Sequence, residues 1–204
     1  GFTTCQQAFL LGSHKECRYG CMGYGDCMVV CPADAISLFE GGLAIVDPVK
    51  CIGCGLCVKA CPGNVIDMVP RDRTFHVLCN SHDPTPVTKG ACSVGCVGCK
   101  LCTRKDPAFA VEENLAAVTG DVENVEVVFA CPNDCIVNTD EFSVHAFIES
   151  EKAREHFGEA KAEYKEKEKA ARAAALAAKK AAAAKAAEAK KAAPQADAAG
   201  KKEE

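Results

Sequence analysis

The chain has 204 residues, a formal net charge of −4, no tryptophan and sixteen cysteines, far more thiols than an average globular protein carries. No apolar run is long enough to span a bilayer and no signal-peptide core is visible, which argues against a secreted disulfide scaffold and for a reducing, cytoplasmic setting. Residues 1–148 carry 10 Lys+Arg against 17 Asp+Glu, a balance of −7, whereas residues 149–204 carry 14 against 11, a balance of +3. An acidic cysteine-rich body is not expected to bind nucleic acid. Gly1 is not an initiator methionine, so the chain is read as processed, truncated or lacking an upstream segment.

In chain order, the cysteines fall on a repeating frame. Cys17, Cys21 and Cys27 lead to Cys31-Pro32, and Cys51, Cys54 and Cys57 lead to Cys61-Pro62. Cys92, Cys96, Cys99 and Cys102 lead to Asp106-Pro107, and a last unit ends at Cys131-Pro132. The same offsets after each proline hold Ala35-Ile36, Val65-Ile66, Ala110-Val111 and Cys135-Ile136. The pair Cys17/Cys21 parallels Cys92/Cys96, and Cys5 and Cys79 sit at nearly equal distances upstream. This internal duplication predicts two domains, near 1–72 and 73–140, each made of two half-repeats. Between the cysteine loops, β-prone segments at 36–39, 43–46, 74–78, 115–118 and 125–129 read as strands, the first two as a hairpin around Gly41-Gly42. A short helical turn is expected after each third cysteine, and the run from Asp83 to Pro86 reads as a loop between the domains.

From about Asp140 the composition changes. Residues 141–148 are expected to form a turn or two of amphipathic helix. Beyond Glu149, alanine, lysine and glutamate dominate. These are strong helix formers, but they present no apolar stripe, so a solvated Ala/Lys-rich helix ending before Pro194 is expected rather than a coiled coil. The last ten or so residues are expected to be disordered. An electrostatic contact of this tail with an acidic partner or anionic lipid is the alternative.

The spacing C-x2-C-x2-C-x3-C-P at Cys51, Cys54, Cys57, Cys61 and Pro62 matches the run of bacterial ferredoxins, in which three cysteines hold one [4Fe–4S] cluster and the fourth ligates another. Zinc more often takes two separated pairs of cysteines. Two tandem bacterial-ferredoxin-like domains of α+β class, built on clusters and followed by the C-terminal helix, are therefore expected. One cluster takes Cys51, Cys54, Cys57 and the crossing Cys31. Its partner takes Cys21, Cys27 and the crossing Cys61, but its middle position is Tyr24. Cys17 is read as the substitute ligand, with a Tyr24 phenolate as the alternative. In the second domain Cys96, Cys99, Cys102 and the crossing Cys131 form a complete set. The positions for a fourth cluster are Asp106, Asp121, Asn124 and Val127. All four have lost cysteine together, so three [4Fe–4S] clusters are expected.

Cys5, Cys79, Cys92 and Cys135 are left over. Cys135 is read as a buried spectator, and the other three as reduced structural thiols. A redox disulfide between Cys79 and Cys92, or a ligand role for Cys92, are the alternatives. His14, His76, His82, His145 and His156 are scattered without a companion pattern, and no phosphate-binding loop is present. No substrate chemistry independent of electron transfer is expected.

The order of the Cys17–Cys27 motif, the complete run at 51–61 and the motif from Ala91 to Cys102 resembles the ferredoxin region of the B subunit of the Rnf complex (RnfB). The resemblance covers about residues 3–136. It implies an iron–sulfur electron-transfer subunit of a membrane-associated ferredoxin:NAD oxidoreductase coupled to ion transport, with soluble ferredoxin and the other subunits of the complex as partners. It implies a cytoplasmic location, peripheral to the inner membrane through partners or through a missing N-terminal anchor. The second domain departs from the two-cluster pattern expected of the family at Asp106, Asp121, Asn124 and Val127. The competing readings are a polyferredoxin-like subunit of another oxidoreductase or hydrogenase, and a zinc-stabilised interaction module. Lys15, Arg18, Lys50 and Lys59 lie near the cysteine loops of the first domain and are expected to face ferredoxin.

Overall fold

Short helices alternate with two-stranded antiparallel ribbons in this computed structural model, which describes residues 1–12, 15–39, 42–140 and 151–192, with side chains at 155–182 in the last segment. The chain forms two compact units, Gly1–Gly158 and Glu159–Glu204. Both ferredoxin-like repeats lie in the first unit.

Helix α1 (Cys5–Leu11) begins where Thr4 Oγ1 accepts the Gln7 N–H at 3.1 Å and ends at left-handed Gly12. Helix α2 (Asp26–Val29) follows the first cysteine loop, and β1 (Ile36–Phe39) pairs with β2 (Leu43–Val46) in the register Ile36↔Val46 to Phe39↔Leu43. Helix α3 (Leu56–Ala60) follows the second loop and packs against α2. The second repeat opens with β3 (Phe75–Val77) and α4 (Thr85–Ala91), continues with α5 (Leu101–Lys105), β4 (Phe109–Glu112), β5 (Leu115–Val118) and α6 (Val127–Ala130), and closes with β6 (Ile136–Asn138). Strand β6 returns to pair with β3, Val77 opposite Ile136, so the two ends of the repeat are tied together. The ribbon β4–β5 turns on two residues, Glu113 at φ 44° and Asn114 at φ 68°. Two successive left-handed residues give the turn whose twist matches that of the flanking strands.

Two expectations are corrected. Valine and phenylalanine favour β structure and predict a strand at 125–129. The segment contains helix α6 instead, packed against α5, with Val127 and Val128 fully buried. Burial at the slot that follows a cysteine loop overrides local propensity. The Asp83–Pro86 run is not a simple loop either. Pro84 caps α4 and Pro86 lies in its first turn, where a missing N–H costs nothing.

The apolar core of the first unit belongs almost wholly to the second repeat. Phe75, Phe109, Val127, Val128, Ile136 and Phe157 form it, and the Phe129 and Phe157 rings lie 5.8 Å apart. Among the described residues of the first repeat, the buried apolar ones are Cys5, Ala8, Cys27, Ala35, Ile36 and Ile45. Helix α7 (Glu151–Ala192) is the expected Ala/Lys/Glu helix. Its side chains from Lys165 to Ala182 are exposed apart from half-buried Glu168, which pairs with Arg172 one turn on at 3.2 Å. The segment expected to be amphipathic at 141–148 and the end of the tail beyond 192 lie outside the described residues. No helix among the described residues is long and apolar enough to cross a membrane.

Candidate iron–sulfur centres

Three loops share one backbone signature. The residues on either side of the middle position are left-handed in each: Gly23 and Gly25 around Tyr24, Gly53 and Gly55 around Cys54, Gly98 and Lys100 around Cys99. Left-handed backbone on both sides curls the loop so that successive side chains converge instead of alternating. The second left-handed residue starts the following helix, α2, α3 or α5, which carries the third cysteine. The matching residues in the fourth unit, Glu123 and Val125, are not left-handed.

The Cys-Pro steps share a second signature. Asp34, Asn64 and Asp134, each three residues after the cysteine, are left-handed at φ 45°, 50° and 54°. This turn aims backbone N–H groups back at the sulfur, and the Ala35 N–H reaches Cys31 Sγ at 3.4 Å. The Asp106 unit turns without a left-handed residue, the Phe109 N–H bonding to the Asp106 carbonyl at 3.3 Å, and enters β4 at Phe109.

Two cavities lie under these loops. The first is lined by Cys21, Cys27 and Cys61, together with Cys5. Cys61 therefore leaves its own loop and joins the preceding one, as the crossing pattern requires. The second cavity is lined by Cys96, Cys99, Cys102, Cys131 and Cys135. Cys51, Cys54 and Cys57 lie close enough for the charges of the first two to raise the Cys57 thiol, after burial, the larger cause. Burial, then the charges of Cys21 and Cys5, push the Cys27 thiol up to about 11. Thiols crowded in this way resist ionisation until a cation neutralises them, and binding iron releases their protons. Among the described residues no three His, Cys, Asp or Glu side chains converge as they would on a single ion. Thiols that gather in groups without converging on one point fit a multi-iron group better than mononuclear zinc.

Cys17 and Tyr24 do not line the first cavity. The Tyr24 ring instead meets the Phe2 ring edge-on at 6.1 Å. Cys135 is not remote from the second site: its Sγ is 3.5 Å from Cys131 Sγ. Hydrogen bonding to Cys131 and Cys96 raises the Cys135 thiol and lowers those of Cys131 and Cys96. Cys79 Sγ accepts the Cys96 N–H at 3.2 Å and the Ser81 N–H at 3.5 Å. The sequence signal for these roles was the duplication, which already aligns Cys5 with Cys79 and Cys135 with Ala35.

Asp106 stands where a crossing cysteine would. Its carboxylate is buried and accepts the N–H groups of Ala108 at 2.8 Å, Glu123 at 2.9 Å and Asn124 at 2.8 Å. These bonds, the one from Asn124 foremost, hold its carboxyl below the usual range. Together with buried Val127 they knit the fourth loop.

The two repeats meet beside the first cavity. Arg18 Nη2 donates to Asp83 Oδ1 at 2.7 Å, and its guanidinium lies 5.0 Å from the Tyr19 ring centroid. The Tyr19 ring in turn meets the His82 ring at 5.7 Å, and Asn80 Nδ2 donates to the Asn64 carbonyl at 3.3 Å. Lys15 Nζ donates to the Cys21 carbonyl at 2.7 Å. Arg18 and Lys15 are thus engaged within the molecule, whereas Lys50 and Lys59 flank the second loop, Lys50 lying 3.9 Å from Asp47.

Residues 16–66 and 50–110 each match a family of 4Fe-4S dicluster domains. The regular loop at Cys51 belongs to both matches, and neither reaches the unit at Cys131. The chain is 38% identical over 136 residues to the B subunit of an ion-translocating oxidoreductase complex of Methanosarcina acetivorans, covering 66% of this chain and 52% of that one. It is 39% identical over 141 residues to the B subunit of the Na(+)-translocating ferredoxin:NAD(+) oxidoreductase complex of Acetobacterium woodii, covering 67% and 42%. It is 45% identical over 121 residues to the proton-translocating counterpart of Clostridium ljungdahlii, covering 58% and 43%. The expected resemblance to Rnf-type B subunits holds. The chain spans about half the length of these curated relatives. Its matched region is that of two tandem 4Fe-4S dicluster domains, with mixed helix and sheet.

Proposed function

We propose that this chain is the iron–sulfur electron-transfer subunit of a membrane-associated ferredoxin:NAD oxidoreductase of Rnf type, exchanging electrons with soluble ferredoxin and with the other subunits of the complex on the cytoplasmic face. The observation that carries this reading is the recurrence of one left-handed loop geometry around three sets of thiols, in a chain similar to B subunits of such complexes. A [4Fe–4S] cluster, when bound, supplies one-electron chemistry near the potential its surroundings set.

The protein's own contribution is to hold, shield and expose. Cys51, Cys54, Cys57 and Cys31 would hold one cluster. Cys21, Cys27, Cys61 and one further thiolate would hold the second. Cys96, Cys99, Cys102 and Cys131 would hold the third. The Asp106 carboxylate and buried Val127 support a count of three, because they fill the places that a fourth would need. Cys54 and Cys99 are exposed at the tips of their loops, as exchange with a separate protein requires. Beside Cys54, Ile52 is 68% exposed and Val49 is 85% exposed, and Lys50 adds a positive charge to this face.

Protein reconstituted without oxygen should contain about twelve iron and twelve sulfide per chain, from three four-iron clusters. About eight would remove one site, and iron without sulfide would remove the reading altogether. Reversing Lys50 and Lys59 to glutamate should slow reduction by ferredoxin several-fold through association, with the defect shrinking as salt screens it. A defect that persists at high salt would place docking elsewhere.

A further inference from the structure

Only three cysteines of the standard pattern reach the first cavity, because Tyr24 occupies the middle position of its loop. A four-iron cube needs a fourth ligand there. Two leftover thiols lie near enough in the fold to be considered, and their surroundings differ.

Cys5 is buried and lines the cavity with Cys21, Cys27 and Cys61. Its placement is fixed from the cluster loop itself. The Asp26 carboxylate accepts the Cys5 N–H at 3.0 Å and the Gln6 N–H at 3.2 Å, and Asp26 adjoins Cys27. On the other side, Ala8 is fully buried and the Thr4 cap secures the start of α1. Cys5 is thus bolted to the loop whose ligands it accompanies.

Cys17 keeps to its own turn. Its carbonyl accepts the Gly20 N–H at 3.1 Å, and its Sγ lies 3.9 Å from the position a Gly20 Cβ would take. The second repeat shows what this position does when the ligand set is complete. Cys92, the counterpart of Cys17, has its Sγ 3.7 Å from the equivalent point at Gly95 and does not line the second cavity. A thiol tucked against the glycine before the first ligand is therefore a feature of both repeats, whether or not a ligand is missing. Cys79, the counterpart of Cys5, touches the site from outside, accepting the Cys96 N–H while Cys99 fills the middle position.

Resting on the three-cluster reading, we propose that Cys5 is the fourth ligand of the first site, its thiol giving up a proton to bind the iron that Tyr24 leaves uncovered, and that Cys17 is not a ligand. The duplication then has a division of labour. The upstream cysteine of each repeat lies at the cluster's edge, and it ligates where the middle cysteine is absent.

The test compares full-length Cys5→Ala, Cys17→Ala and Cys5→Ala/Tyr24→Cys with the unmodified chain, reading iron, acid-labile sulfide and the electron paramagnetic resonance of the reduced clusters. Cys5→Ala should lose about four iron and one signal, or convert that signal to a three-iron form, while Cys17→Ala should match the parent. Tyr24→Cys should restore the lost iron by supplying the middle cysteine seen at Cys99. Full iron in Cys5→Ala, or loss in Cys17→Ala, overturns the proposal. A loss that Tyr24→Cys does not repair makes Cys5 a packing residue and overturns it equally. The comparison is a difference from the parent, so a parent count other than about twelve counts against the three-cluster reading and leaves the Cys5 test standing.

Discussion

The two repeats solve the same folding problem with different materials. The first buries two isoleucines and a few alanines and cysteines, and exposes Val29, Val49, Ile52 and Met68. The second buries Phe75, Phe109, Val127, Val128 and Ile136 around a closing strand pair. Where the first repeat is organised around two sets of thiols, the second has one set, and a packed apolar core occupies the region of the other. On the three-cluster reading, the absence of a fourth metal site is tolerated because the backbone groups it would organise find other partners. Here the Asp106 carboxylate supplies them, and valine side chains fill the space.

Removing the metal should separate the two repeats most sharply. Two buried isoleucines contribute about 3–6 kcal/mol, against about 1–2 kcal/mol of backbone entropy for each residue ordered. Chelation or acid-free iron extraction should therefore unfold residues 1–72, while β3–β6 and the β4–β5 ribbon retain protection from hydrogen exchange. Uniform loss of protection would mean that the second repeat also depends on its cluster for its core.

Asp106→Ala should break the second repeat by a different route. It leaves the buried Ala108 N–H and the part-buried Glu123 and Asn124 N–H groups without their charged acceptor and should cost on the order of 2 kcal/mol, read from denaturant unfolding of the loaded protein. Iron content should not change. The sign of the pH dependence follows from the depressed carboxyl. Its stabilisation is fully present above the ordinary aspartate value of about 4 and is lost as pH falls through the lower folded value. Asp106→Asn should remove most of this acid dependence, and an unchanged profile would show that other carboxylates dominate it.

The same contrast explains what was legible in the sequence. Cysteine spacing, glycines beside the middle ligand and the β-branched segments are local signals, and they located the loops, the β1–β2 hairpin and strands β3 and β5, whereas β4 and β6 were not anticipated. Residues Asp106, Asp121, Asn124 and Val127 marked the altered fourth unit because they depart from the repeat as a set. Helix α6 was not legible, since Val127 and Val128 favour strand locally and only their burial makes them helical. Nor was the partner of Arg18, because Asp83 lies 65 residues away in the chain and is brought near only when the repeats meet. Cys5 was visible as a repeated position, but its approach to Cys27 depends on the long-range bonds of Asp26.

The finest difference between the repeats is at the residue four after the crossing cysteine. Ala35 occupies it in the first half-repeat, and Cys135 occupies it in the last, 3.5 Å from the Cys131 sulfur. Alanine at the equivalent site shows that the turn accepts a methyl group, so Cys135→Ala should cost no more than about 1 kcal/mol, the net worth of an ordinary hydrogen bond. Its effect should fall on the cluster. A donor to a ligand sulfur stabilises the more negatively charged, reduced state, and hydrogen bonds to sulfur are among the determinants of cluster potential. Redox titration of Cys135→Ala should therefore show a more negative potential for the cluster held by Cys96, Cys99, Cys102 and Cys131, with iron content and the other clusters unchanged. A loss of four iron would instead make Cys135 a ligand, and an unmoved potential would make it the spectator that its alignment with Ala35 suggests.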